Sequence, residues 1–169
     1  RWNRLVSELG DGGPEMYARC FKEVQIIVAE GKGTPHELRL QRVHDEMLRS
    51  IAAYAETTYG FVAEQSAALA KAGKYAEAVT AWDWFPNVID PTNLFRGRIE
   101  DSKKQTKLAG LQYYANLKKR ADESAAAGRF DEAKRLMMAA LEIGFPEVTD
   151  EAFKKVAELS SRETESARK

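Results

Sequence analysis

The chain has 169 residues, of which 44% are hydrophobic and 31% charged, as is typical of one folded domain with its own core. Basic and acidic residues both number 26, so the chain lacks the basic excess of nucleic-acid-binding proteins, and we expect no nucleic-acid partner. No apolar run is long enough to span a membrane, and the single cysteine, Cys20, excludes an intrachain disulfide and a cysteine-rich metal site.

The first predicted element is an amphipathic helix from Pro14 to Glu30. Its expected inward-facing residues are Met16, Cys20, Val24, Ile27 and Val28. The glycine-rich residues 10–13 follow no predicted strand, which favours a hinge or linker over a phosphate-binding loop. The chain begins at Arg1 without a signal-peptide pattern, so we expect a fragment or a processed form. The compartment stays open, and for a bacterial protein both the cytoplasm and the periplasm fit.

Two long segments without proline are predicted to form long helices. The first runs from His36 to Ala72, and the second follows a cap at Asp90 or Thr92. Apolar or small residues recur at helical spacing: Leu40, Met47, Ile51, Ala55, Thr58, Val62 and Leu69 in the first, and Ile99, Thr106, Ala109, Tyr113, Leu117, Ala121 and Ser124 in the second. Because glycine weakens a helix, bends are expected at Gly60 and Gly110.

A shorter helix is predicted after each long one, and a last helix begins at Thr149 or Asp150. The inward stripes are Tyr75, Ala78, Val79, Trp82 and Phe85 in the first short helix, Phe130, Ala133, Met137, Ala140 and Leu141 in the second, and Phe153, Val156 and Leu159 in the last. Gly73 and Gly128 stand between long and short helices, where a left-handed turn commonly ends a helix. No segment has the pattern of a strand.

The two pairs of helices resemble each other in sequence. Residues 72–78 (AGKYAEA) match residues 127–133 (AGRFDEA) at an offset of 55 positions. Pro35, Pro91 and Pro146 follow one another at intervals of 56 and 55 residues. Two independent markers therefore agree on one period, which predicts a tandem repeat.

The shared block of glycine, a basic residue, an aromatic residue and Glu-Ala resembles the tetratricopeptide (TPR) helical repeat. In that family the glycine makes the turn, the aromatic residue packs across the hairpin and the alanine permits close helix approach. The resemblance assigns these roles to Gly73, Tyr75 and Ala78, and to Gly128, Phe130 and Ala133, and it covers residues 62–86 and 117–146. The family repeat is about 34 residues long, so the first helices here would be elongated, and the Trp and Leu that the family shows early in the first helix are missing.

We therefore predict an all-α protein of tandem antiparallel hairpins, each a long helix and a short one, arranged as a TPR-like solenoid or an elongated bundle. Residues 1–169 would form one repeat domain. Its parts would be a partial unit at 14–31, full units at 35–86 and 91–146, and a terminal helix at 149–167.

Aromatic residues are the strongest candidates for contact with a partner. Tyr54, Tyr59, Tyr113 and Tyr114 cluster midway along the long helices, and tyrosine gives amphipathic contact at low entropy cost. In TPR-like arrays the first helices line the concave face, so these tyrosines would recognise a peptide; they would alternatively form an aromatic layer between hairpins. Trp84 either packs at the end of its hairpin, which we favour, or stands exposed as an anchor.

No motif predicts catalysis, a cofactor or a metal site. His36 and His44 are about two helical turns apart, too far to share an ion without further ligands, and are expected on the surface or as caps. Cys20 has no adjacent general base and is expected to be a buried small apolar residue. The sequence thus predicts a non-catalytic protein-interaction or scaffolding module of a larger protein that binds a protein or peptide. The alternative is a structural or self-associating helical bundle or spacer without a separate ligand.

Overall fold

A computed structural model of the chain describes residues 13–166. Within that range it contains six α-helices and no strand, and the predicted all-α class is confirmed. The helices are α1 (Pro14–Glu30), α2 (Glu37–Lys71), α3 (Tyr75–Thr80), α4 (Leu94–Ala126), α5 (Phe130–Leu141) and α6 (Pro146–Ser166). Two short 3₁₀ segments, Ala81–Trp84 and Asn87–Ile89, lie between α3 and α4. Most of the predicted linker, residues 10–12, and the end of the predicted terminal helix, residue 167, lie outside the described residues.

The chain divides into two compact units. Unit 1 comprises Arg1–Val62 and Trp84–Ile99, and unit 2 comprises Ala63–Asp83 and Glu100–Lys169. Helices α2 and α4 therefore each contribute their first part to unit 1 and their remainder to unit 2. The repeat boundaries at 35–86 and 91–146, and the solenoid arrangement, stay predictions.

In unit 1 the helix α1 packs on the first half of α2. Val24 and Ile27 are buried against Leu40 and Met47. The predicted inward face of α1 is partly wrong, because Met16 is exposed and Cys20 is only half-buried, whereas Ala18 and Phe21 are buried. The predicted and observed stripes share Val24 and Ile27 and diverge toward the amino end, where Phe21 stacks on the His44 ring of α2 at 5.4 Å between centroids. Phe21, rather than the smaller Cys20 beside it, is therefore the buried residue at this position of α1.

The amino end of α4 is capped by the buried carboxylate of Asp90, one of the two caps that the sequence predicted. Asp90 Oδ1 accepts the backbone N–H of Leu94 at 2.8 Å, and Oδ2 accepts those of Phe95 and Arg96 at 3.0 and 3.1 Å. The first N–H groups of a helix have no partner inside it, so one side chain here satisfies three of them. Asn93 completes the turn with a φ of 57°.

In unit 2 the predicted left-handed turns at Gly73 and Gly128 are confirmed, with φ angles of 83° and 77°. Both turns have the same hydrogen-bond pattern. Each glycine N–H donates to the carbonyl three residues back, and the next N–H donates to the carbonyl five residues back. This pattern is the Schellman motif, which satisfies carbonyls that the helix end leaves unpaired. A residue with a Cβ would be strained in this conformation.

The start of α3 is held by the loop between α5 and α6. The Ala76 N–H, one of the unpaired donors of the first turn of α3, donates to the Ile143 carbonyl at 2.8 Å. Lys118 and Asp122 of α4 pair with Glu151 and Lys155 of α6, the second pair at 3.0 Å. These contacts tie α4 and α6 together side by side within unit 2.

The buried face of unit 2 differs in part from the predicted stripes. The core of unit 2 includes Tyr114, Leu117, Ala121 and Ala125 of α4, with Ser124 also buried, whereas the predicted Ala109 and Tyr113 are exposed. The shift of one position arises at Gly110, where the helix backbone lies against Tyr75 and Phe145. Gly110 and Gly60 both lie inside continuous helices.

Helix α6 begins three residues earlier than predicted, at Pro146, because a proline is well accommodated in the first turn of a helix, where its missing N–H has no intrahelical partner. The N–H groups of Val148 and Thr149 both donate to the Phe145 carbonyl. Phe153, predicted to be buried, is 56% exposed, while Ala152 and Leu159 are fully buried.

Candidate functional site

The tyrosines predicted to contact a partner belong to different units. Tyr54 and Tyr59 lie in unit 1, and Tyr113 and Tyr114 lie in unit 2. Tyr54 is half-buried and its hydroxyl donates to Glu15 Oε1 of α1 at 3.2 Å. Tyr54 therefore helps to join α1 to α2, and its predicted part in recognition stays a prediction.

One face of the Tyr59 ring is covered by a side chain of the same unit. The Arg98 guanidinium carbon lies 4.1 Å from the Tyr59 ring centroid and 4.9 Å from that of Phe95. Two hydrogen bonds of 2.8 and 3.0 Å join this guanidinium to the Glu56 carboxylate. The hydrogen bonds from Arg98 hold the pKa of Glu56 below its ordinary value. Arg98 thus uses its planar, bidentate geometry to join α2 and α4 within unit 1.

The two neighbouring tyrosines of unit 2 have opposite environments. Tyr113 is exposed on one side and packs against Tyr75 with 5.7 Å between ring centroids. Tyr114 is only 7% exposed and belongs to the unit 2 core. Its buried hydroxyl has no hydrogen-bond partner of good geometry among the described residues, and the nearby Glu151 carboxylate accepts from Lys118. Burial, with a further contribution from the negative charge of Glu151, raises the pKa of Tyr114 to about 12.

We expect the variant Tyr114→Phe to change the dependence of stability on high pH. The folded-state pKa of Tyr114 is raised above its ordinary value of 10.0, so its neutral form favours folding below pH 10, and this contribution is lost as the pH rises from 10 to about 12. The phenylalanine variant should lack that loss. At neutral pH its free energy of unfolding should lie within about 1 kcal/mol of the wild type, because only an unpaired hydroxyl is removed.

The measurement is urea unfolding followed by circular dichroism at several pH values between neutrality and about 12, with Tyr113→Phe as the matched control on the same helix. The control should keep the wild-type decline at high pH. If Tyr114→Phe declines in parallel with the wild type over the whole range, the buried hydroxyl is not responsible.

Our preference for a packed Trp84 is wrong, because this side chain is 58% exposed. Trp82 and Phe85 are buried, as predicted. In the 3₁₀ helix Ala81–Trp84, the side chains of Ala81 and Trp82 are buried and that of Trp84 is exposed. Whether Trp84 anchors a partner stays a prediction.

Unit 1 contains an apolar pocket that the sequence did not predict. It has a volume of about 330 Å³ and lies between one face of α2 and the segment that leads into α4. Its lining residues are Leu48, Arg49, Ile51, Ala52 and Ala55 from α2, and Ile89, Asp90, Pro91, Thr92, Leu94 and Phe95 from the other side. The only signal in the sequence is the pair of alanines one turn apart on α2, which leave space beside Leu48 and Ile51.

The pocket is suited to binding rather than to acid–base chemistry. Both carboxylate oxygens of Asp90 accept hydrogen bonds from backbone N–H groups at the start of α4, three in all, so this carboxylate is not free to act as a general base. Arg49, the other charged residue of the lining, cannot act as a general base, since its guanidinium stays protonated. Leu94 at the pocket is 68% exposed, which leaves a large apolar side chain available for contact.

Between residues 13 and 166, no group of three or more His, Cys, Asp or Glu side chains is arranged to hold a metal ion. His36 is exposed, and His44 packs on Phe21. In the same part of the chain, no helix combines the length and apolar character needed to cross a membrane. We compared the chain with protein-family models, with curated proteins and with solved structures, and none of the three comparisons gave a match.

Proposed function

We propose that this chain is a non-catalytic module that binds a protein or peptide partner through the pocket of unit 1. The observation that carries the proposal is the pocket itself, an apolar recess with Leu94 exposed beside it. Its volume lies at the lower end of the range of about 300–1,000 Å³ found for ligand pockets. A recess of this size suits one or two apolar side chains of a partner, since buried anchor residues supply most of the binding energy at protein interfaces.

The tandem sequence block supports the same proposal. TPR-like repeats present helix faces to partner peptides, and the pocket is lined in part by the first long helix of the predicted repeat. Trp84 and Tyr54 belong to the same unit and would extend the contact beyond the pocket. The role of Tyr113 would require a second contact in unit 2.

We expect Leu94→Glu to weaken peptide binding at least about tenfold, because it places a charge where an apolar side chain would be buried. Leu94 is exposed and lies in the first turn of α4, where a carboxylate favours the helix, so the variant should fold. The matched control is Leu38→Glu, on α2, which changes an even more exposed leucine, at 77%, that does not line the pocket.

The ligands for this test come from selection of a phage-displayed library of random peptides on the immobilised chain, and fluorescence anisotropy then gives their Kd for each variant. Enriched peptides that bind the wild type and Leu38→Glu equally, and Leu94→Glu more weakly, support the proposal. It is contradicted if no sequence is enriched, or if Leu94→Glu binds as well as the wild type.

Self-association is the second candidate, favoured by large apolar side chains that unit 2 exposes. Leu108, Met138 and Phe153 are each more than half exposed, although they lie on three different helices of that unit. Light scattering coupled to size-exclusion chromatography distinguishes the two candidates. A dimer that Phe153→Lys converts to a monomer would support self-association, and a monomer at every concentration would exclude it.

A further inference from the structure

The pocket of unit 1 combines an apolar lining with the cationic side chain of Arg49. Arg49 lines the pocket and is exposed, which places it at the rim, and its Nε donates to the Asp45 carbonyl one turn earlier on α2, at 3.3 Å. The Asp45 carboxylate is instead contacted by Gln41 and His44, at 3.2 and 3.3 Å. Among residues 13–166 no carboxylate forms an ion pair with Arg49, whose side chain is exposed.

Asp90, whose carboxylate also lines the pocket, does not neutralise the positive charge of Arg49. Asp90 is buried, and three N–H groups at the start of α4 surround its two oxygens. Those N–H groups carry the partial positive charge of a helix amino end, which compensates the carboxylate locally. A ligand in the pocket would therefore meet apolar surface together with a guanidinium that can donate to it.

The Arg49 guanidinium beside the apolar lining favours some classes of partner segment over others. A cationic segment would be repelled by Arg49, and a purely apolar one would cover the guanidinium without replacing its water hydrogen bonds, which costs free energy. A carboxylate beside the apolar side chain would replace those bonds with charge-assisted ones, which arginine forms in a bidentate geometry.

On these grounds we infer that the partner is an acidic polypeptide segment that places an apolar side chain in the pocket and a neighbouring Asp or Glu carboxylate on Arg49. The inference rests on the proposed function of the same pocket and adds the charge of the segment it receives. An apolar and an acidic residue within one helical turn, or adjacent in an extended segment, would meet the two requirements together.

The test uses the full chain, the peptides selected from the random library, and two charge reversals on α2. Arg49→Glu changes the rim, and Arg39→Glu is the matched control, an exposed arginine on the same helix that does not line the pocket. Each selected peptide is also synthesised with its acidic residue replaced by glutamine or by lysine. Fluorescence anisotropy then gives the Kd of every pair.

We expect the selected peptides to share an acidic residue next to an apolar one. Its replacement by glutamine should weaken binding to the wild type about tenfold, as for the loss of a charge-assisted hydrogen bond. Arg49→Glu should weaken binding of the acidic peptide and strengthen that of the lysine peptide, whereas Arg39→Glu should leave both within about twofold of the wild type.

Two results would overturn the inference while leaving the proposed function intact. One is a set of peptides that need Leu94 but bind equally well with glutamate or glutamine. The other is an equal loss of affinity in Arg49→Glu and Arg39→Glu, which would show a general effect of net charge. Peptides that bind without regard to Leu94 would instead refute the pocket as the binding site, and with it both proposals.

Discussion

Replacing Gly110 with alanine is expected to destabilise the chain by about 1–3 kcal/mol, the usual cost of forcing an extra methyl group into a packed core. A Cβ at this position would lie 2.8 Å from both Cβ and Cγ of Tyr75 and 2.7 Å from Cε2 of Phe145. The Phe145 ring edge can rotate away, but the Tyr75 Cβ cannot move without the backbone of α3. This cost should outweigh the gain of up to about 1 kcal/mol that alanine brings to a helix interior.

The matched controls are Gly60→Ala in α2 and Gly97→Ala in α4, where a Cβ would meet no atom within 4 Å. Both should stabilise the chain by about 0.5–1 kcal/mol, since alanine loses less backbone entropy than glycine on folding. Urea unfolding at neutral pH gives the three free energies. A stabilising effect of Gly110→Ala similar to those of the controls would mean that Tyr75 and α4 are not in close contact.

Removing the Asp90 carboxylate with Asp90→Ala is expected to cost about 2 kcal/mol of stability, at the upper end of measured helix caps. The substitution leaves the N–H groups of Leu94, Phe95 and Arg96 without their acceptor, and Phe95 is itself buried. Water replaces a lost partner poorly at a buried site, so the penalty should exceed that of an exposed cap.

Thr92→Ala is the control for this prediction, because the sequence pattern allowed either Asp90 or Thr92 to cap α4. Thr92 is exposed, and its replacement should change the free energy of unfolding by less than about 0.5 kcal/mol. Asp90→Asn should fall between the two, since its amide keeps one accepting oxygen. Equal effects of Asp90→Ala and Thr92→Ala in urea unfolding would contradict the cap geometry.

The capping carboxylate also links the fold to the proposed function. Asp90 sets the path of residues 89–95, and Ile89, Leu94 and Phe95 of that segment line the pocket. A folded Asp90→Ala variant should therefore lose peptide affinity together with stability, whereas Gly110→Ala in unit 2 changes neither wall of the pocket. The two variants separate damage to the pocket from a general loss of stability.

Much of the helical architecture is predictable from the sequence, since it depends on local chemistry. Glycine adopts the left-handed conformation that ends a helix at little cost, so Gly73 and Gly128 mark their turns without reference to the rest of the chain. Hydrophobic spacing placed Leu40, Met47, Ile51 and Ala55 correctly on the buried face of α2. The cap formed by Asp90 could also be predicted, because its carboxylate accepts hydrogen bonds from backbone N–H groups close to it in sequence.

Only the tertiary structure decided which of two adjacent residues is buried and where space remains between helices. Tyr113 and Tyr114 have the same side chain, and the contact of Gly110 with α3 settles that Tyr114 is the one in the core. Likewise, Ala152 lies in the core of unit 2 while the adjacent Phe153 is exposed. The pocket arises between segments some forty positions apart in the chain, so no local pattern describes it. The helical period of a sequence predicts the buried face of a helix only to within one residue. The shapes of the neighbouring helices decide which of the two adjacent residues is buried.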